Sequence, residues 1–184
     1  MRYFGVHNFI GRRIDGYDGP VCLLTLQAAA ALGNVQRDLA ATGLGLKTFD
    51  CYRPARAVAY FVRWGRNIAD QQGKAEFYPD VEKRDLFREG YIASRSNHSR
   101  GSAVDLTLVR LADGVELDMG SPFDFFGSRS WASDRTISAE AWANRGLLTS
   151  AMRRGGFRGY MREWWHFTFA REPFPDRYFD FPVK

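Results

Sequence analysis

The amino-acid sequence predicts a mixed α and β fold, and three observations carry that reading. An apolar face recurs at helical spacing between Leu26 and Thr42, apolar and polar residues alternate from Ala103 to Arg110, and 18 glycines with 7 prolines punctuate the 184-residue chain. With 45% hydrophobic and 15% aromatic residues, disorder is excluded and a core can form without staples.

Each element has a local cause. Ala28, Leu32, Val35 and Leu39 define one helical face over Leu26 to Thr42, stopped by Gly43. Leu46 to Tyr52 reads as a short strand. Pro54 then suits the first position of a helix reaching about Asn67, and it holds Arg53 extended at the strand end. Ala69 to Ser99 is polar and broken by Gly73, Pro79 and Gly90, a covering excursion with one helical stretch from Val81 to Arg88. Ala103 to Arg110 is expected as a half-buried strand, Val104, Leu106 and Leu108 on one side and Ala103, Asp105 and Thr107 on the other. After Gly114 a turn and a second strand are expected, then an irregular stretch from Met119 to Asp124. Ser138 caps a helix to about Arg154, ended by Gly155 and Gly156. Phe157 to Tyr160 and Trp164 to Ala170 form the arms of a hairpin, and the tail with Pro173, Pro175 and Pro182 cannot continue a central strand. No repeat or linker divides the chain, which reads as one domain over residues 1–184.

Composition removes several function classes. No apolar run approaches the roughly 20 residues of a membrane span, and Arg2, His7 and Asn8 break the first ten positions, so neither a transmembrane protein nor an intact signal peptide is expected. The net charge of +5 is scattered, with only Arg12–Arg13, Lys83–Arg84 and Arg153–Arg154 as adjacent basic pairs, which argues for a solvated surface and no nucleic-acid partner. Cys22 and Cys51 lack metal spacing and read as two reduced structural thiols, a single bridge staying open if the chain is exported.

Chemistry concentrates around two of the three histidines. In Ser96-Asn97-His98-Ser99-Arg100-Gly101-Ser102-Ala103-Val104-Asp105, a histidine on a glycine-containing turn precedes an aspartate on the strand that the turn feeds. The two converge on one ion if the turn folds back; otherwise His98 bonds within a loop and Asp105 faces solvent. In Glu163-Trp164-Trp165-His166, a regular strand puts Glu163 and His166 on opposite faces, whereas a loop-to-strand transition lets both address one cleft. The alternative is an aromatic core strand with His166 bonded to a carbonyl. Together His98, Asp105 and His166 make an N, N, O set that leaves a fourth tetrahedral position open, as a catalytic zinc requires, although such a set also suits other first-row metals. Glu163 is then a spare carboxylate able to take a proton from metal-bound water and pass it to a leaving amine.

The blocks SNHSRGSAVDLTL (Ser96 to Leu108), EWWH (Glu163 to His166) and DCYRP (Asp50 to Pro54) resemble the D-alanyl-D-alanine dipeptidases of the VanX type, a branch of the zinc D,D-peptidases. The likeness extends to Arg2–Tyr17, Met119–Phe126 and Tyr178–Lys184. It implies an α+β fold with a small, largely antiparallel sheet flanked by helices and one zinc at its open face, held by His98, Asp105 and His166. It further implies Glu163 as general acid/base, Arg53 as the transition-state donor, Asp124 as the site of the substrate ammonium, and Tyr3 and Ser96 lining the same pocket. The implied reaction is hydrolysis of D-Ala-D-Ala type dipeptides; a D,D-carboxypeptidase or peptidoglycan peptidase of the same zinc group, and a non-catalytic binder of cell-wall fragments, are the alternatives. Family members usually carry a further stretch before the segment matching Arg2 and Tyr3. Localisation therefore stays open: cytoplasmic for the chain as it stands, periplasmic if it derives from an exported precursor.

Overall fold

The computed structural model describes residues 1–184. A four-stranded antiparallel sheet in the order β1-β2-β4-β3 forms its centre, from β1 (Leu44–Asp50), β2 (Ala103–Arg110), β3 (Phe157–Tyr160) and β4 (Glu163–Phe169). Helix α1 (Leu26–Ala40) packs on β1 and on helix α4 (Ala139–Arg154), which lies along β3. The other face of the sheet carries an aromatic core, in which Tyr3, Phe9, Phe61 and Phe123 pack ring against ring and Phe49 of β1 stacks on Phe123 at 4.5 Å. Phe61 belongs to α2 (Ala55–Arg66). This is the α+β architecture expected, and no helix is long and apolar enough to cross a membrane.

Local signals place several elements well. β2 spans the predicted residues, and Ser138 caps α4 by accepting the Ala141 N–H at 3.0 Å, a contact worth about 1 kcal/mol. Burial departs from expectation along β2, where Ala103 through Leu108 are all buried. β2 is flanked by β1 and β4, and the aromatic layer covers the face that a two-layer reading would leave to water.

Other expectations are corrected. The stretch from Val81 to Arg88 holds only a 3₁₀ turn at Lys83–Asp85, preceded by the single turn α3 (Lys74–Phe77). Here a tertiary tie wins: the Lys83 ammonium lies 3.9 Å over the Trp64 ring and donates to the Asp70 carbonyl. The strand expected after Gly114 reduces to one bridge between Glu116 and Val109. Cys22 and Cys51 are not free thiols; they form a disulfide with Cα atoms 5.2 Å apart. The chain before α1 runs beside the end of β1, where the Tyr52 N–H donates to the Leu23 carbonyl at 2.9 Å, and that proximity joins the sulfurs.

Candidate active site

The site assembles where three pieces of backbone meet. Asp50 of β1, Asp105 of β2 and His166 of β4 form one row across the sheet by direct strand pairing. His98 reaches that row from a 3₁₀ turn (Asn97–Arg100) closed by Gly101 at φ 75°, a left-handed conformation that glycine adopts without strain. The turn is pinned at its start, since Ser96 Oγ accepts the His98 N–H at 3.3 Å.

A bulge solves the facing problem between Glu163 and His166. One step along β3, from Gly159 to Tyr160, spans four along β4, from Phe167 to Glu163. The odd excess reverses the side-chain alternation, so Glu163 and His166 border the same cleft while Trp164 and Trp165 are both buried.

The three proposed ligands converge closely. His98 Nε2 lies 3.1 Å from His166 Nδ1 and 3.3 Å from Asp105 Oδ2, and His166 Nδ1 lies 3.0 Å from Asp105 Oδ1. His98 Nδ1 is 2.6 Å from the Cys51 carbonyl oxygen, which can only accept; Nδ1 therefore carries the proton and Nε2 presents its lone pair to the cluster. Burial opposes the charge on Asp105, but His98 and His166 outweigh it and hold the carboxyl far below the usual carboxylate range. His166 shows the reciprocal effect: burial pushes its pKa down, and the bond and charge of Asp105 raise it above the ordinary histidine value.

Glu163 stands just outside this group, its Oε2 3.9 Å from His166 Nδ1, and burial raises its pKa. Arg53 enters from the chain that leaves β1. Its Nε donates to Asp50 Oδ2 at 2.9 Å, Nη2 is 3.7 Å from Asp105 Oδ2, and the guanidinium lies 5.0 Å from both the Tyr3 and Phe61 rings. Burial works against its charge, and the Asp50 carboxylate more than restores it. Asp124 is buried with φ 62°, and the Tyr3 hydroxyl donates to it at 2.9 Å. Burial first, then the Asp105 charge, pushes the Asp124 carboxyl well above its usual range.

All eight side chains singled out from the sequence, namely Tyr3, Arg53, Ser96, His98, Asp105, Asp124, Glu163 and His166, line one cleft of about 480 Å³. Ser96 does so while its hydroxyl is engaged by the His98 turn. Four contributors carry no role in the sequence reading. Asp50 is fully buried, bonded to Arg53 and to the Tyr17 hydroxyl at 2.7 Å; its place three residues before Arg53 was the one available signal. Thr168 Oγ1 sits 3.3 Å from His166 Nε2, fixing the ring from behind. The Cys51 carbonyl has no sequence signature at all. Arg145 of α4 is buried and donates to the carbonyls of Met119, Arg129 and Trp131 at 2.6, 2.6 and 2.9 Å, so it holds the stretch that presents Asp124. Its burial lowers its pKa to about 10.

Comparison with known proteins identifies the family. The family model described as D-ala-D-ala dipeptidase, peptidase M15, matches residues 1–184. The D-alanyl-D-alanine dipeptidase of Enterococcus faecium is 42% identical over 183 residues, covering 100% of this chain and 91% of that protein. The one from Streptomyces coelicolor is 42% identical over 182 residues (99% and 90%), and that of Escherichia coli 36% over 167 residues (91% and 76%). Among solved structures, a mutant of the vancomycin resistance D,D-pentapeptidase VanY in complex with Zn(II) aligns at TM-score 0.46 and 15% identity, over 80% of this chain and 72% of that one. A full-length family match and relatives of this identity leave one conclusion: the chain belongs to the M15 peptidase family of D-Ala-D-Ala dipeptidases.

Proposed function

We propose that this protein hydrolyses D-Ala-D-Ala type dipeptides with one zinc ion held by His98, Asp105 and His166. The observation that carries the metal is the spacing of the ligand atoms. Ligands on a tetrahedral zinc at bonds of about 2.0 to 2.1 Å sit about 3.3 Å apart. The two ring nitrogens lie 3.1 Å apart, and each has an Asp105 oxygen close by, Oδ2 at 3.3 Å from His98 Nε2 and Oδ1 at 3.0 Å from His166 Nδ1. One ligand atom from each residue lies within 4.8 Å of the other two, and two nitrogens with a carboxylate suit that ion. When bound, zinc supplies Lewis acidity that polarises a peptide carbonyl and lowers the pKa of water.

The remaining steps belong to the chain. Glu163, its pKa raised by burial, takes the proton from attacking water and returns it to the leaving amine. Arg53, locked by Asp50, offers a preorganised guanidinium to the oxyanion that builds on the carbonyl. Asp124, oriented by Tyr3, receives the free ammonium of the dipeptide, and a blocked amine would leave that buried carboxylate unpaired. Comparing kcat/KM for D-Ala-D-Ala and its N-acetyl derivative tests the reading: the free dipeptide is expected to be cleaved faster, and faster cleavage of the blocked compound would assign the chain to carboxypeptidase chemistry. The Cys22–Cys51 bridge supports an oxidising compartment such as the periplasm, to be checked by fractionating the native cells.

A further inference from the structure

We infer that the Cys22–Cys51 disulfide is a positioning device for the metal ligand His98, acting through the Cys51 carbonyl. The inference rests on the zinc reading above. β1 ends its ladder with β2 at the pair Asp50–Asp105, so Cys51 lies one residue beyond the sheet. Its carbonyl oxygen nevertheless meets His98 Nδ1 at 2.6 Å and sets which ring nitrogen faces the cluster. The orientation of that carbonyl is therefore part of the ligand geometry.

The segment bearing Cys22 reaches both sides of this contact. Beside Cys51, the Tyr52 N–H donates to the Leu23 carbonyl at 2.9 Å; beside the His98 turn, the Thr25 N–H donates to the Gly101 carbonyl at 2.7 Å and Thr25 Oγ1 lies 3.0 Å from Ser102 Oγ. The turn itself returns to the strand exit, since the Arg53 N–H donates to the His98 carbonyl at 3.3 Å. Residues 22 to 25 thus strap the carbonyl and the histidine together, and the disulfide is the covalent anchor of the strap. With the bridge cut, the peptide that carries the Cys51 carbonyl keeps only the Tyr52–Leu23 hydrogen bond to this strap, so its orientation is held less firmly while every direct ligand stays intact.

Zinc affinity, measured by competition with a chromogenic chelator, tests this on the oxidised protein, on the protein reduced with a water-soluble trialkylphosphine, and on Cys22→Ala. The phosphine cleaves the S–S bond, takes oxygen from water to become the phosphine oxide and leaves two thiols, and unlike a dithiol it offers no sulfur to zinc. We expect affinity to fall about 10-fold on reduction and equally in Cys22→Ala, with no further effect of the phosphine on the variant. Circular dichroism confirms that each sample is folded. Unchanged affinity in folded, reduced protein would overturn the inference, and so would unfolding on reduction in the presence of zinc, which would make the bridge a stability staple. Failure of the oxidised protein to bind zinc at all would instead remove the zinc reading on which the inference stands.

Discussion

Asp124 combines a left-handed backbone, a single hydroxyl partner and near-complete burial at the wall of the cleft, a costly arrangement for a carboxylate. Because its folded pKa is raised, its contribution to the stability of the free enzyme is full below the unfolded carboxylate range and is lost as pH rises through the folded value. A substrate ammonium needs the ionised form. KM should therefore climb on acidification well above the pH at which an ordinary carboxylate titrates, whereas Asp124→Asn, which tolerates the same backbone, should show a high KM with that limb flattened; KM measured from acid to neutral pH decides. Glu163 and Arg53 separate by a different pair of readings. Glu163→Ala should abolish turnover with zinc retained, since Glu163 lies outside the three-ligand group, and zinc loss from that variant would make Glu163 a ligand. Arg53→Ala should lose on the order of 2.7 to 4 kcal/mol of barrier lowering and also about 3 to 5 kcal/mol of stability, because buried Asp50 is left without its cation. Arg53→Lys keeps the charge, so it should recover more of the stability than of the kcat; parallel denaturation and kinetics on both variants check this.

At the scale of elements, α4 is more than a cover for the sheet. Arg145→Met keeps much of the volume but leaves the buried Met119 carbonyl without a donor, at about 1 to 3 kcal/mol, and removes the donor from the half-buried bonds to Arg129 and Trp131 at a smaller cost. The Met119–Trp131 stretch should loosen, raising KM for the dipeptide more than it lowers kcat; an unchanged KM in a destabilised variant would detach Arg145 from Asp124. The sequence shows α4 because its cap and closing glycines are local, and shows β2 because the alternation is. It hides the role of Arg145, since one arginine on a helix has the pattern of a solvated face until the Met119–Trp131 stretch folds over it. The β4 bulge is hidden for a similar reason: only pairing with β3 reveals that four residues pass against one. The candidate ligands were legible because metal-binding chemistry is written in residue type, whereas Asp50, Thr168 and the Cys51 carbonyl act through position. A disulfide between residues 29 apart leaves no local mark either.

For the molecule as a whole, the bridge and the metal act on the same joint. The bridge closes a loop holding α1 and β1, and chain entropy assigns it about 3 to 4 kcal/mol. Zinc would join the His98 turn to β2 and β4, so chelation should lower Tm, and chelation with reduction together should lower it by a different amount from the sum of the two effects; calorimetry of the four states measures that coupling. The strand order has a further effect during synthesis. β2 lies between β1, made before it, and β4, made after, with 61 residues separating Asp105 from His166. At 5 to 20 residues per second, a ribosome needs about 3 to 12 s to cover that interval. Throughout it the nascent chain carries His98 and Asp105 without His166, and one flank of an apolar central strand stands open to any neighbouring chain. Slower synthesis lengthens the interval, so whatever shields β2 until β4 arrives should raise the soluble yield.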